Sequence, residues 1–174
     1  MDEFDALILG IIQGLTEFLP VSSSGHLEIG RKLLDANQLS SDNLLMTTIL
    51  HLATALSTIV VFRKDILELF FGVFSKKSEN SKKYIIKIII AIIPAGIIGF
   101  TLSDHIDLLF VGNIKIVGMM LLVTGLLLFL TKIIKPKRSQ ISKTDAIIIG
   151  VSQAFAIIPG ISRSGATICT SLFL

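Results

Sequence analysis

The fold is decided by the stretch Asp5-Ala-Leu-Ile-Leu-Gly-Ile-Ile-Gln-Gly-Leu-Thr-Glu-Phe-Leu-Pro-Val-Ser-Ser-Ser-Gly-His26, a polar motif at the end of an apolar segment. The chain repeats it 140 residues later as Asp145-Ala-Ile-Ile-Ile-Gly-Val-Ser-Gln-Ala-Phe-Ala-Ile-Ile-Pro-Gly-Ile-Ser-Arg-Ser-Gly-Ala-Thr167. Both copies share an Asp-Ala start, an internal Gly and Gln, and a Ser-x-Ser-Gly end. Apolar segments that break at Pro, Gly and Ser, and that occur in pairs, are typical of discontinuous membrane helices around one site.

The composition is that of an integral membrane protein. Of the 174 residues, 52% are hydrophobic and 17% are charged, and the mean hydropathy is +0.81. Soluble domains carry about 25% charged residues, so this chain lies outside that class. The single cysteine, Cys169, excludes an internal disulfide. The net charge of +3 comes from lysine clusters beside apolar segments, which favours orientation in a membrane over nucleic-acid binding.

Three apolar runs between the two copies are long enough to cross a bilayer, which takes roughly 20 residues. They predict membrane spans at 44–62, 84–102 and 114–131. The segment 66–74 is too short to span and contains Glu68, so an interfacial helix is expected there.

The charges of the connecting segments predict the orientation of these spans. Segments 63–83 and 132–145 are rich in Lys and Arg, whereas 103–113 contains neither. Because positive loops stay on the cytoplasmic side, the first two segments are expected inside and the third outside.

Three crossings therefore separate the two copies, at about 5–27 and 145–167, so the copies are expected to enter from opposite faces of the membrane. That arrangement is an inverted-topology repeat. Each copy is too short for a plain span, which predicts two re-entrant helix-loop-helix segments. The predicted fold is an all-α polytopic membrane protein with one transmembrane domain, 1–174.

The first copy contains two polar residues on one helical face, Gln13 and Glu17, four positions apart. The carboxylate of Glu17 lies in an otherwise uncharged segment, so it must pair, bind a cation or take up a proton. A helix-packing contact or a cap is the structural alternative.

The end of the first copy places three hydroxyls, a glycine and an imidazole within five residues. They are Ser22, Ser23, Ser24, Gly25 and His26. Small residues at a helix break let backbone N–H groups turn towards an anion. A histidine acts as an acid, base or nucleophile near neutral pH, and a serine needs such a base to attack. A serine-rich turn that caps the next helix is the alternative.

The end of the second copy combines an arginine with small and hydroxylated residues. They are Ser162, Arg163, Ser164, Gly165 and Thr167. An arginine at membrane depth costs several kcal/mol unless it meets an anion, and its planar fork suits phosphate oxygens. The alternative is an interfacial arginine that reaches lipid headgroups.

If the two copies face each other, a carboxylate, hydroxyls, an imidazole and a guanidinium converge on one pocket. That set suits phosphoryl transfer, assisted by a divalent cation. His51 lies alone in the first predicted span and is expected to be a satisfied core histidine, with a supporting role at the site as the alternative.

At these motifs the chain resembles the bacterial undecaprenyl-diphosphate phosphatase family, known also for bacitracin resistance. The stretches that carry the resemblance are 9–26 and 159–167, and it extends over the whole chain. It implies an enzyme of the bacterial inner membrane that hydrolyses undecaprenyl diphosphate, recycles the lipid carrier for peptidoglycan synthesis and confers bacitracin resistance. The implied partners are the polyprenyl diphosphate substrate and membrane lipids, and a homodimer is left open. The active site is expected to face the outer side.

The resemblance also implies roles for individual residues. The implied catalytic residues are Glu17, Ser23, His26 and Arg163, with either Ser23 or His26 as the nucleophile. The implied substrate-binding residues are Gln13, Ser22, Ser24, Gly25, Ser162, Ser164, Gly165 and Thr167. The implied ligands of a divalent cation, Mg or Ca, are Gln13 and Glu17.

Two alternatives remain open. Members of the family continue through further membrane helices, whereas this chain stops at Leu174, so an inactive, C-terminally truncated membrane protein is one alternative. The other is a secondary transporter or flippase for a lipid or small molecule, because inverted repeats with broken helices are typical of transporters.

Overall fold

The computed structural model describes residues 3–35, 41–74, 79–110, 113–134 and 140–174. In these ranges the chain forms eight α-helices and no strand, which confirms the predicted all-helical fold. The helices are α1 (Glu3–Thr16), α2 (Ser23–Leu33), α3 (Ser41–Val61), α4 (Arg63–Phe74), α5 (Glu79–Phe110), α6 (Ile114–Ile133), α7 (Lys143–Phe155) and α8 (Arg163–Phe173).

Two segments of the described chain are long and apolar enough to cross a bilayer by themselves. They are Ser81–Leu102 in α5 and Ile114–Ile133, which forms α6, and they overlap the second and third predicted spans. The first predicted span falls on α3, which bends by 72° into α4, so that Leu45–Val61 and Arg63–Gly72 together have the length and hydropathy of one broken span. The described helices therefore supply two or three candidate crossings.

The end of α5 differs from the prediction. A loop was predicted at 103–113, and this prediction is wrong for residues 103–110, because α5 continues as a helix to Phe110. Hydropathy marks where a chain leaves the lipid, not where its helix ends, and after Gly99 the next Gly or Pro is Gly112. The helix also runs through Pro94 without ending.

The predicted orientation depends on charges that the structure covers only in part. Lys76, Lys77, Lys135, Lys137 and Arg138 lie outside the described residues. The entry of the two copies from opposite faces and their re-entrant course stay predictions.

Large apolar side chains cover much of the outer surface. In the most apolar 18 residues of α5 none is buried inside the protein, and in those of α6 the buried share is 11%. The side chain of Phe100 on α5 is 93% exposed. A continuous apolar surface of this kind is stable against lipid or other protein, but not in water. The protein is therefore an all-helical membrane protein, as predicted.

The interior lies where α6 packs against α2 and α8, and where α7 packs against α5 and α8. Small residues let these backbones approach closely, as is usual between membrane helices. A Cβ atom on Gly150 would lie 2.6 Å from the carbonyl oxygen of Ala91 and 3.0 Å from Cγ of Pro94. The glycine that both copies share thus lets α7 lie directly on α5.

Candidate active site

Each copy of the motif forms a helix, a break and a second helix: α1 and α2 in the first, α7 and α8 in the second. In both, the first serine of the Ser-x-Ser-Gly end is the N-cap of the second helix. Its hydroxyl accepts a hydrogen bond from the backbone N–H of the motif glycine, at 3.4 Å in the first copy and 3.0 Å in the second. The capping turn, which was the alternative for the first copy, is present at Ser22, and Ser162 forms an equivalent cap in the second copy. Each cap orients the residue that follows it.

The two breaks reverse the chain in different ways. In the second copy Gly160 adopts a φ of +95°, in the left-handed region. The matching residue of the first copy is Pro20, whose ring holds φ near −65°. There the left-handed residue is Ser22 instead, with a φ of 69°. A non-glycine residue in this region costs about 1 kcal/mol, so the first break is the more strained.

The two breaks touch each other. A Cβ atom on Gly25 would lie 3.0 Å from Cα of Gly160, and a Cβ atom on Gly165 would lie 3.1 Å from the carbonyl oxygen of Pro20. Larger side chains would have to displace one break from the other. Both motif glycines are thus buried in this contact, where they let the breaks meet.

Helix α6 holds the second break in place through Thr124. Its hydroxyl donates to the carbonyl of Gly160 at 2.8 Å and accepts from the backbone N–H of Ser162 at 2.9 Å. The residue is 2% exposed, so the bridge satisfies two buried backbone groups that have no water to bind. Thr124 therefore fixes the turn that precedes Arg163.

A cavity of about 500 Å³ lies where the breaks meet, and both copies line it. Its volume lies within the usual range for small-molecule sites. Its polar wall consists of Thr16, Glu17, Ser22, Ser23, Ser24, His51, Gln153, Ser162, Arg163, Ser164 and Thr167.

The carboxylate of Glu17 joins two other polar groups of the first copy. The Ser23 hydroxyl donates to Oε2 at 2.5 Å, and Nε2 of Gln13 donates to the same oxygen at 3.0 Å. The short hydroxyl–carboxylate bond is charge-assisted. A carboxylate in this position can act as a base towards a serine hydroxyl.

His26 has a different place from the one expected. The ring is half-buried and does not line the cavity, and its Nδ1 donates to the carbonyl of Ser22 at 2.8 Å. Within the described residues, the polar side chain that contacts the Ser23 hydroxyl is Glu17. The geometry gives His26 a part in holding the first turn of α2.

The second copy contributes positive charge. Arg163 is exposed to the cavity and forms no ion pair within the ranges that the structure describes. Arg163 and Ser23 occupy equivalent positions, each directly after its N-cap. The first N–H groups of a helix lack intrahelical acceptors, and the helix dipole adds partial positive charge there. Two such helix starts and a guanidinium border one cavity, which suits an anion with several oxygens.

The oxygens beside Glu17 are of the kind that binds a divalent cation. Gln13 is 1% exposed, and its Oε1 is buried without a hydrogen-bond partner. The Glu17 carboxylate, four residues on, supplies further oxygen. The described residues contain no cluster of three or more His, Cys, Asp or Glu, so a cage made of protein alone is not formed there. Mg²⁺ is usually held by one or two protein oxygens together with substrate phosphates.

Three residues at or beside the cavity are absent from the site residues predicted from the sequence, although a supporting role at the site was the alternative for His51. The interpretation of His51 as a core histidine is wrong, because its side chain is exposed and lines the cavity. Gln153 also lines it, and repeats Gln13, which was the available signal. Thr124 is a polar residue in an apolar helix, and nothing in its spacing connects it to the motif.

Comparison with known proteins identifies the family. The chain matches the bacitracin resistance protein BacA family over residues 6–174. It is 55% identical over 174 residues to the undecaprenyl-diphosphatase of Christiangramia forsetii, a match that covers 100% of this chain and 66% of the relative. The undecaprenyl-diphosphatase of Bacteroides fragilis is 47% identical over 175 residues, a match that covers 100% of this chain and 65% of the relative. The undecaprenyl-diphosphatase of Halothermothrix orenii is 43% identical over 176 residues, a match that covers 99% of this chain and 64% of the relative.

The chain thus spans just under two thirds of the length of these curated relatives. Its family match, in contrast, includes nearly every residue, with the whole second copy of the motif and the first copy from residue 6 onwards. The chain therefore belongs to the bacitracin resistance protein BacA family.

Proposed function

We propose that the protein hydrolyses undecaprenyl diphosphate to undecaprenyl phosphate and inorganic phosphate in the cavity between the two breaks. This activity would recycle the lipid carrier for peptidoglycan synthesis and confer resistance to bacitracin. The observation that carries the proposal is the 2.5 Å bond between Ser23 and Glu17 in a cavity that Arg163 also lines. The name shared by the relatives, undecaprenyl-diphosphatase, supports the choice of substrate.

The diphosphate binds between the starts of α2 and α8. Arg163 pairs with its oxygens through two parallel N–H donors, and the serine hydroxyls and first backbone N–H groups of both helices complete the site. The polyprenyl tail stays on the apolar outer surface, among the helices and the membrane lipids.

The chemical step begins at Ser23. Its oxygen attacks the terminal phosphorus while Glu17 takes the hydroxyl proton. The bond between the bridging oxygen and the terminal phosphorus breaks, and Glu17 returns the proton to the departing lipid monophosphate. Water then attacks the phosphorus of the phosphoserine while Glu17 takes a proton from the water. The bond between the serine oxygen and the phosphorus breaks, Glu17 returns the proton to that oxygen, and inorganic phosphate leaves. This order makes Ser23, rather than His26, the nucleophile.

Gln13 and Glu17 would hold the divalent cation, Mg or Ca. When bound, such an ion neutralises charge on the phosphate oxygens. The carboxylate and the amide are already joined by their own hydrogen bond, so both are oriented before any ion arrives.

The site lies within the membrane, open to the outer side of the inner membrane, with the two copies entering from opposite faces. The lengths of the first helices support this course. Helices α1 and α7 have 14 and 13 residues, hence a length of about 20 Å, and the hydrocarbon core is about 30 Å thick. Helices of this length reach the middle of the bilayer and must break there.

Phosphate release from a polyprenyl diphosphate by the purified protein, with and without Mg²⁺, tests the proposal. Arg163→Ala should lower kcat/KM by at least about 100-fold, the usual cost of removing one preorganised donor to transition-state charge. Arg63→Ala is the matched control, because Arg63 lies on α4, does not line the cavity, and donates a hydrogen bond to the carbonyl of Val60 in the turn before its own helix. Normal turnover by Arg163→Ala would remove the guanidinium from the mechanism.

The same preparation separates hydrolysis from transport. A transporter or flippase would move the lipid between leaflets of a vesicle without releasing phosphate, and would tolerate Ser23→Ala. A protein that releases phosphate and loses this activity on Ser23→Ala is a hydrolase.

A further inference from the structure

A second histidine, His51 of α3, lies on the cavity wall. Its Nδ1 is 2.8 Å from the carbonyl oxygen of Thr47. Because a carbonyl only accepts, Nδ1 carries the hydrogen. The ring is therefore oriented by its own helix, and Nε2 is the nitrogen that remains for a ligand.

The turn of α3 that holds this ring is tied to α2. A guanidinium nitrogen of Arg31, Nη2, donates to the hydroxyl of Thr47, and Nη1 of Arg31 lies 2.8 Å from a carboxylate oxygen of Glu28. The side chain of Arg31 is 12% exposed, so the connection is largely shielded from solvent. Helix α2, whose start forms one wall of the cavity, thus also positions the helix that carries His51.

The surroundings of His51 argue against an incidental position. The neighbouring residues Leu50, Leu52 and Ala53 are apolar, and an ionisable side chain within a membrane segment has a functional role by default. Of the two histidines near the breaks, His51 lines the cavity and His26 does not. The charged residues on the same wall are Glu17 and Arg163.

We propose that His51 is a substrate-binding residue, whose Nε2 forms a hydrogen bond with a phosphate oxygen of the diphosphate in addition to the contacts from Arg163. This inference rests on the proposed function and names a further contact of that site. This hydrogen bond contains one proton, which is carried either by Nε2 or by the phosphate oxygen. No covalent step passes through His51.

Variants of His51 test the contact through binding. His51→Ala and the bulkier His51→Leu both remove the ring nitrogens, and either one that folds is informative. We expect each to weaken competitive inhibition by inorganic diphosphate, and to raise KM for a polyprenyl diphosphate, by about 10- to 100-fold, the range for a lost hydrogen bond to a charged group. The value of kcat should change much less. His51→Gln, whose amide can donate to a phosphate oxygen, should stay within a few-fold of the wild type.

His105→Ala is the matched control, because this exposed histidine of α5 does not line the cavity. Unchanged diphosphate inhibition in a folded His51→Ala or His51→Leu protein would overturn the inference, as would equal losses in the Ala and Gln variants. Failure of the proposed function looks different. A wild-type protein that binds inorganic diphosphate but releases no phosphate from the lipid would refute hydrolysis, and the binding comparison would still decide the role of His51.

Discussion

Thr124→Val should loosen the second half of the site while changing hardly any volume. The threonine hydroxyl is the group on α6 that bridges the carbonyl of Gly160 and the N–H of Ser162, at 2.8 and 2.9 Å. Valine has the same shape and no hydroxyl. Both backbone groups would be left buried without a partner, directly before Arg163.

The magnitude follows from these two bonds. An unpaired buried polar group costs about 1–3 kcal/mol, whereas hydrogen bonds between membrane helices average about 0.6 kcal/mol and reach about 1.7. Two bonds therefore predict a loss of about 1–4 kcal/mol in Thr124→Val. Thr124→Ser keeps the bridge and loses one methyl group, which costs about 0.8 kcal/mol. A displacement of about 1 Å at a substrate-positioning residue costs about 100-fold in rate.

Thermal unfolding in detergent measures the first effect, and kcat/KM for phosphate release measures the second. We expect Thr124→Ser to remain near the wild type in kcat/KM and Thr124→Val to fall by about 100-fold. Thr101→Val is the control, since the exposed Thr101 hydroxyl donates to the carbonyl of Ile97 in its own helix. Equal stability and activity of the Val and Ser variants would refute the role of the bridge.

Two further substitutions test the base and the break. Glu17→Gln keeps the shape of the side chain but removes the base beside the proposed nucleophile, so kcat for phosphate release should fall by about 10²- to 10⁴-fold. Glu68→Gln, on the exposed surface of α4, is the control, and a similar loss in that variant would contradict the role of Glu17. In Gly160→Ala an alanine would have to adopt a φ of +95°, and its Cβ atom would lie 2.7 Å from the nearest neighbouring atoms. We therefore expect the free energy of unfolding, measured by thermal unfolding, to fall by about 2–4 kcal/mol. Gly96→Ala, where a Cβ atom meets nothing within 4 Å, should be tolerated, and equal stability of the two alanine variants would show that the break adapts.

The helices and their breaks could largely be predicted from the sequence, because they depend on local properties. Runs of apolar residues identify α3, α5 and α6, and Pro, Gly and Ser mark the places where the repeated segments stop being helical. The end of α5 was missed because the lipid boundary and the end of a helix have different causes. The first is set by polarity, and the second needs a breaker or a cap.

The composition of the cavity was also partly predictable. Eight of the substrate-binding and catalytic residues predicted from the sequence line it: Glu17, Ser22, Ser23, Ser24, Ser162, Arg163, Ser164 and Thr167. Apart from Glu17, these residues are the N-caps of two equivalent helices or lie in the first turns after them, and a motif that caps a helix also determines which residues begin it. Gln13, Gly25 and Gly165 belong to the packing around the cavity instead of its wall.

The sequence by itself determined that this is a helical membrane protein with two broken segments, because hydropathy, capping and chain-breaking act over a few neighbouring residues. Only the tertiary structure decided which groups meet. Glu17 contacts Ser23 because the break folds the chain back on α1, and Thr124 reaches Ser162, 38 residues away, because α6 packs beside α8. His51 lines the cavity and His26 does not, because of the way α3 packs against the first copy of the motif, and no local sequence pattern encodes that packing.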